Sequence, residues 1–135
     1  MIGLDTNVLV RYLAQDDAAQ AALATRLIEN ELTPAQPGFI SLVVLAEVCW
    51  VLTSLYEAGK DELIETVGDF LNTPWFQIEK REVVQAAIRR FKAGSSRKAG
   101  FADALITEVA NAEGCLVTMT FDKAAVRAAG MTLLV

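Results

Sequence analysis

Residues 1–13 read MIGLDTNVLVRYL. Ile2 to Leu4 predicts a short strand, and Thr6 to Ala14 repeats apolar residues at helical spacing. Asp5 stands at the junction, so a carboxylate marks the carboxyl end of the first strand. An anion taken out of water needs a compensating partner, yet the nearest basic residue is Arg11. The order of strand, acid and helix decides the fold, because it recurs along the chain.

Working outward, Asp16 and Asp17 are placed to cap a second helix over residues 18–32, rich in Ala, Leu and Glu. TPAQPG at 33–38 is the clearest loop. Residues 39–41 predict a very short strand, and Ser41 a cap for a long helix that ends near Gly59. Asp61 is read as the cap of a helix over 62–72. A strand over 75–79, a helix over 81–92, a loop over 93–100 and a helix over 101–114 follow. The chain closes with a strand over 115–119, a short helix over 123–130 and a last strand over 131–135. Strands alternating with helices imply βαβ units and a mainly parallel sheet covered on both faces, with right-handed crossovers. The expected fold class is therefore α/β, in one domain spanning residues 1–135.

Composition narrows the function. Hydrophobic residues make up 53% of the chain, which excludes disorder. Charges break every long apolar run, so no membrane span is expected, and the start shows no basic region before an apolar stretch, so no secretory signal is expected. Cys49 and Cys115 have no Cys or His nearby. They read as small core residues in a reducing, cytoplasmic compartment. The chain has no histidine, which excludes a His general base, a Ser-His-Asp triad and the usual His-containing zinc sites. Its formal charge of −5 argues against a protein that coats nucleic acid without specificity. It leaves open an enzyme that acts on nucleic acid through metal ions.

Four carboxylates stand where an ordinary chain gains little from them. Asp5 follows the first strand, and its bland role is an N-cap. Glu47 is the only charge in LVVLAEVCWVL, residues 42–52, a helix apolar enough to be read as buried all round. Its bland role is a side chain at the edge of the apolar stripe, reaching for solvent. Asp103 lies in the first turn of the helix that begins FADALI, where the helix dipole favours an anion. Asp122 follows the strand CLVTM and precedes a helix, which either it or Thr120 is placed to cap. Doubly wound folds form their sites at the carboxyl ends of strands. Two carboxylates ~5 Å apart repel by ~3 kcal/mol at an effective dielectric of about 20, so gathering them calls for a divalent cation. Carboxylates without His or Cys suit Mg²⁺ or Mn²⁺, which orient and deprotonate water for in-line phosphoryl displacement.

Four segments in order, DTNVLVRYL, AEV inside an apolar helix, FADALI and TFDKA, resemble the PIN-domain ribonucleases and, within them, the VapC-type toxins of toxin–antitoxin pairs. The resemblance covers essentially the whole chain. It implies a three-layer sandwich, a short parallel sheet flanked by helices. It carries the catalytic and metal-ligating roles to Asp5, Glu47, Asp103 and Asp122, and supporting roles to Thr6, Asn7 and Thr120. The implied activity is Mg²⁺- or Mn²⁺-dependent endonucleolytic cleavage of RNA. The implied partners are a cognate antitoxin and a second copy of the chain, with Leu52, Leu55, Tyr56, Leu63 and Phe70 as candidate surface residues or, alternatively, core. Many relatives carry a further acid just before FADALI. Here the segment is RKAG, so the number of metal ions stays open.

RRFKAGSSRK, residues 89–98, holds five of the 12 basic residues and no acid. Arg97 and Lys98, nearest Asp103 in sequence, are the candidate RNA contacts, and Phe91 is read as core rather than as a stacking residue. A haloacid-dehalogenase-type phosphatase would need a second carboxylate at position 7, where Asn7 stands. A receiver domain would need a Lys after the last strand, where the chain ends. The reading from another class is a PIN-fold binding module that docks a protein or RNA partner without cutting.

Overall fold

The structure is a computed structural model that describes residues 1–94 and 100–135. Helices β-linked by short parallel strands make up the chain, which falls into two compact units. Unit 1 comprises Met1–Ala58 and Glu65–Glu79, and unit 2 comprises Gly59–Ile64 and Lys80–Val135.

In unit 1, β1 (Ile2–Gly3) leads to α1 (Thr6–Ala14), then α2 (Ala18–Arg26), which runs on into a π-helical turn at Leu27–Glu31. Asp17 caps α2 by accepting the Gln20 N–H at 3.0 Å, the role the sequence offered it. β2 (Gly38–Ile40) and α3 (Leu42–Tyr56) follow. Ser41 caps α3, its hydroxyl accepting the Val44 N–H at 3.1 Å. A second acceptor reaches the same end: Glu79, just past β3 (Phe76–Ile78), takes the Leu42 N–H at 2.8 Å. The strands pair in parallel in the order β1-β2-β3, and α1 packs on α2 and α3. Leu9, Val10, Ile28, Ile40, Leu45 and Val48 are almost wholly buried.

α4 (Lys60–Asn72) gives its first residues to unit 2 and the rest to unit 1. It begins two residues earlier than the sequence suggested, so Asp61 sits inside the first turn rather than at the cap. In unit 2, α5 (Arg81–Ala93) and α6 (Phe101–Ala112) pack on each other and on α7 (Lys123–Ala129). β4 (Met119–Thr120) and β5 (Thr132–Leu133) pair in parallel. The β4 strand is shorter than expected: residues 115–118 are irregular, and the apolar Cys115, Leu116 and Val117 among them are exposed.

Several expectations about exposure change. Cys49 is buried, which pushes its thiol up to about 12, but Cys115 is exposed, in the irregular segment after α6. Leu52, Leu63 and Phe70 are buried, so they serve packing, whereas Leu55 and Tyr56 are exposed. The Tyr56 hydroxyl donates to Asp16 at 2.5 Å. Phe91 is buried in unit 2, edge-on to Phe101 with ring centroids 5.9 Å apart, so it is a core residue as read. Among the described residues no helix is long and apolar enough to cross a membrane.

Candidate active site

Each of the candidate carboxylates is placed by the element that follows or contains it. Asp5 occupies the N-cap position of α1 with extended backbone, yet its carboxylate accepts no capping hydrogen bond. It is exposed and takes part in no ion pair among the described residues. A favoured capping residue that does not cap leaves its oxygens available. Thr6, next along the chain, is buried, and its hydroxyl has no hydrogen-bond partner among the described residues. Asn7 is exposed.

Glu47 corrects an expectation. It is exposed, not buried inside α3. Positions 43, 47 and 50 lie at i, i+4 and i+7 on one helical face, and Val43 and Trp50 on that face are 78% and 64% exposed. α3 therefore buries the opposite face (Leu45, Val48, Cys49, Leu52) and shows an apolar stripe with Glu47 at its centre. No ion pair involves Glu47 among the described residues.

The other two acids belong to unit 2. Asp103, half-buried, is in the first turn of α6, and its Oδ2 accepts the Gly100 N–H at 3.2 Å. Asp122 caps α7: Oδ1 accepts the Ala124 N–H at 2.8 Å. Thr120 does not compete for that role, because its hydroxyl accepts the N–H of Asp122 itself, at 3.0 Å. Thr120 thus fixes the turn that presents the carboxylate. Burial raises the Asp103 carboxyl above its ordinary value, the Gly100 N–H pulls it back, and the negative charge of Asp122 pushes it up again. The last effect places the two carboxylates within electrostatic reach of each other.

Unit 2 therefore brings Asp103 and Asp122 together, while Asp5 and Glu47 stand in unit 1. Among the described residues no three His, Cys, Asp or Glu side chains form a metal-holding group. A pair of hard oxygen donors nevertheless fits Mg²⁺, which is commonly held by one or two carboxylates with water and substrate phosphate filling its remaining positions. Arg97 and Lys98, the RNA-contact candidates from the sequence, lie outside the described residues.

Sequence reasoning passed over Arg127. It lines a concavity of about 580 Å³ in unit 2 together with Arg89 and Arg90. A single Arg in a short helix, far along the chain from its neighbours in space, leaves no linear signal.

The family model for the PIN domain matches residues 2–131 of the chain. No curated protein and no solved structure matches it.

Proposed function

We propose, from the premise that this chain belongs to the PIN domain family, that it is a metal-dependent endoribonuclease and the toxin of a toxin–antitoxin pair. PIN domains are nucleases as a class, which makes hydrolysis of a nucleic-acid phosphodiester the starting point. The observation that carries the reading is the Asp103–Asp122 pair. Two carboxylates within electrostatic reach, one of them raised by burial and by the other's charge, cost stability unless they serve a cation.

Asp103 and Asp122 would hold the ion, Mg²⁺ or Mn²⁺; Asp5 and Glu47 keep the catalytic and metal-ligating roles that the sequence resemblance gives them. The ion supplies Lewis acidity and a water that deprotonates near neutral pH. The chain supplies placement. The Ala124 N–H fixes one oxygen of Asp122 and the Gly100 N–H one of Asp103, so each carboxylate keeps its second oxygen for the ion. Thr120 holds the Asp122 turn. Thr6 offers a buried hydroxyl and Asn7 an exposed amide beside Asp5. Arg97 and Lys98 contact the RNA backbone. The protein acts in the cytoplasm, pairs with a second copy and is blocked by a cognate antitoxin. Exposed Leu55 is the member of the expected apolar set most open to either surface.

The test is incubation of the purified chain with a panel of RNAs, with and without Mg²⁺, beside Asp5→Asn and Asp103→Asn. Cleavage that needs the ion and both carboxylates is expected. Undiminished cleavage in EDTA by a nuclease-free preparation refutes the metal role, and RNA binding without cleavage under any ion favours the binding-module reading.

A further inference from the structure

The concavity of about 580 Å³ in unit 2 is lined by Arg89, Arg90 and Arg127, by one carboxylate, Glu108, and by alanines and glycines from α5 and the end of α7. Its polar groups divide into engaged acceptors and free donors. Arg90 Nε donates to Glu108 at 2.7 Å, and Arg90 Nη1 donates to the Ala129 carbonyl at 3.3 Å, at the C-terminal end of α7. The Gly94 carbonyl accepts the Lys60 ammonium at 2.6 Å. Arg89 and Arg127 are exposed and have no hydrogen-bond or ion-pair partner among the described residues. Setting Arg90 against Glu108 leaves these two guanidinium charges unmatched at one recess of an acidic chain.

The recess is built rather than incidental. Gly130 has φ 69°, and a Cβ there would collide with Arg90 Nη1. A Cβ on Gly94 would lie 2.9 Å from the Ala128 carbonyl oxygen. Both glycines let the backbone close up, so the floor is small and the guanidinium groups stand above it.

We propose that this face of α5 and α7 is a subsite for the phosphodiester backbone of RNA, contacted by Arg89 and Arg127 and positioned by the Arg90–Glu108 pair. The proposal rests on the nuclease reading and names how the substrate is held. Guanidinium forks match phosphate oxygens two at a time. The lining contains no aromatic side chain on which a base would stack, so the contact positions a strand and does not read its sequence. It also contains no large apolar side chain to anchor a peptide, which disfavours an acidic protein as the occupant. At cellular salt the two charges act over about 8 Å, short enough to work on a chain whose net charge repels RNA.

The test uses fluorescence anisotropy of a labelled single-stranded RNA, on the full chain carrying Asp103→Asn so that the probe is not cut, over a salt series with Mg²⁺ present. Each phosphate contact contributes about 0.7 to the log–log salt slope of a single strand, so Arg89→Ala with Arg127→Ala should lower the slope by about 1.4. Between about 50 and 200 mM salt the parent then loses roughly sevenfold more affinity than the double variant. Arg89→Lys with Arg127→Lys should restore the slope, because Lys keeps the charge. Arg26→Ala, an exposed cation of unit 1, should leave it unchanged. An unaltered slope in the double Ala variant overturns the subsite, as does absence of RNA binding by the parent. Polyglutamate that displaces the RNA as well as unlabelled RNA does, charge for charge, overturns the RNA assignment in favour of an acidic protein. Cleavage by the wild-type chain decides the nuclease reading separately. Arginine-dependent binding without cleavage keeps the subsite and refutes the nuclease.

Discussion

Asp122 serves two purposes that one pair of substitutions separates. Its carboxylate caps α7 through the Ala124 N–H at 2.8 Å, and the same group is a member of the acidic set. Asp122→Asn keeps a side-chain oxygen for the Ala124 N–H and removes the charge. Asp122→Ala removes both. Asn and Asp cap about equally well, and Ala at an N-cap costs about 1 kcal/mol. At ~2.1 cal/mol/K per residue of unfolding entropy, the 135-residue chain turns that loss into a drop of about 3.5 °C in Tm. The Asn variant should melt at or slightly above the wild-type temperature in EDTA, because Asp103, raised first by burial, loses the added repulsion of the Asp122 charge. Cleavage of RNA in Mg²⁺ should fall in both variants by at least about 100-fold, the upper end of the loss from outer-shell partners alone. Differential scanning calorimetry and a gel-based cleavage assay read the two axes independently. Full cleavage by Asp122→Asn, with loss confined to Asp122→Ala, would show that the carboxylate is a cap and nothing more, and the reasoning would fail.

Three further outcomes follow from the same structure. Because Asp103 is raised above its ordinary 3.8, the folded state holds that proton more tightly than the unfolded chain. Its contribution to stability therefore falls as pH rises from the unfolded value through the raised folded one. Urea unfolding in EDTA from about pH 3 to 7 should show Asp103→Asn gaining on the wild type over that window, and parallel curves would contradict it. Mg²⁺ or Mn²⁺ should raise the wild-type Tm near neutral pH, by the equivalent of about 2.7 kcal/mol at 100 times Kd. Thermal scans should show that effect shrinking toward about pH 5 as protonation replaces the ion, and indifference to both ions at neutral pH removes the preformed site. Glu57, the C-cap of α3, has a left-handed backbone (φ 54°) that costs a side-chain residue roughly 1 kcal/mol. Glu57→Gly should raise the urea midpoint accordingly, and a lowered midpoint would show that its side chain makes a contact the backbone does not reveal.

Local signals carried furthest where one residue type decides a boundary. α1 spans Thr6–Ala14 as its periodicity indicates, and Asp17 and Ser41 cap as their chemistry predicts. The short parallel strands lie where turn residues bracket apolar ones, with β4 trimmed to Met119–Thr120 because a run of apolar residues does not by itself require pairing. Glu47 shows why the site was harder. A helix apolar on every side reads as buried, but α3 leaves a stripe open, and the one charge in the run marks it. The i, i+4, i+7 relation of Val43, Glu47 and Trp50 was present in the sequence; which face would be covered was not. The Asp103–Asp122 proximity is tertiary, and so is the recess that joins Arg127 to Arg89 and Arg90, since both depend on how α5, α6 and α7 pack.

The partition of the chain also fixes what light can see of it. Both tryptophans, Trp50 and Trp75, and both tyrosines, Tyr12 and Tyr56, belong to unit 1, while unit 2 contributes only phenylalanine. Intrinsic emission excited at the red edge of the protein band therefore reports unit 1 alone, and the unit that carries Asp103, Asp122 and the arginine recess is spectroscopically dark. Far-ultraviolet circular dichroism, in contrast, sums the helices of both. Recording one melt with the two probes turns an accident of aromatic placement into a test of cooperativity. Superimposable curves mean that the dark half falls with the bright one, and a single aromatic label placed in unit 2 would then serve as a beacon for its ligands against a known background.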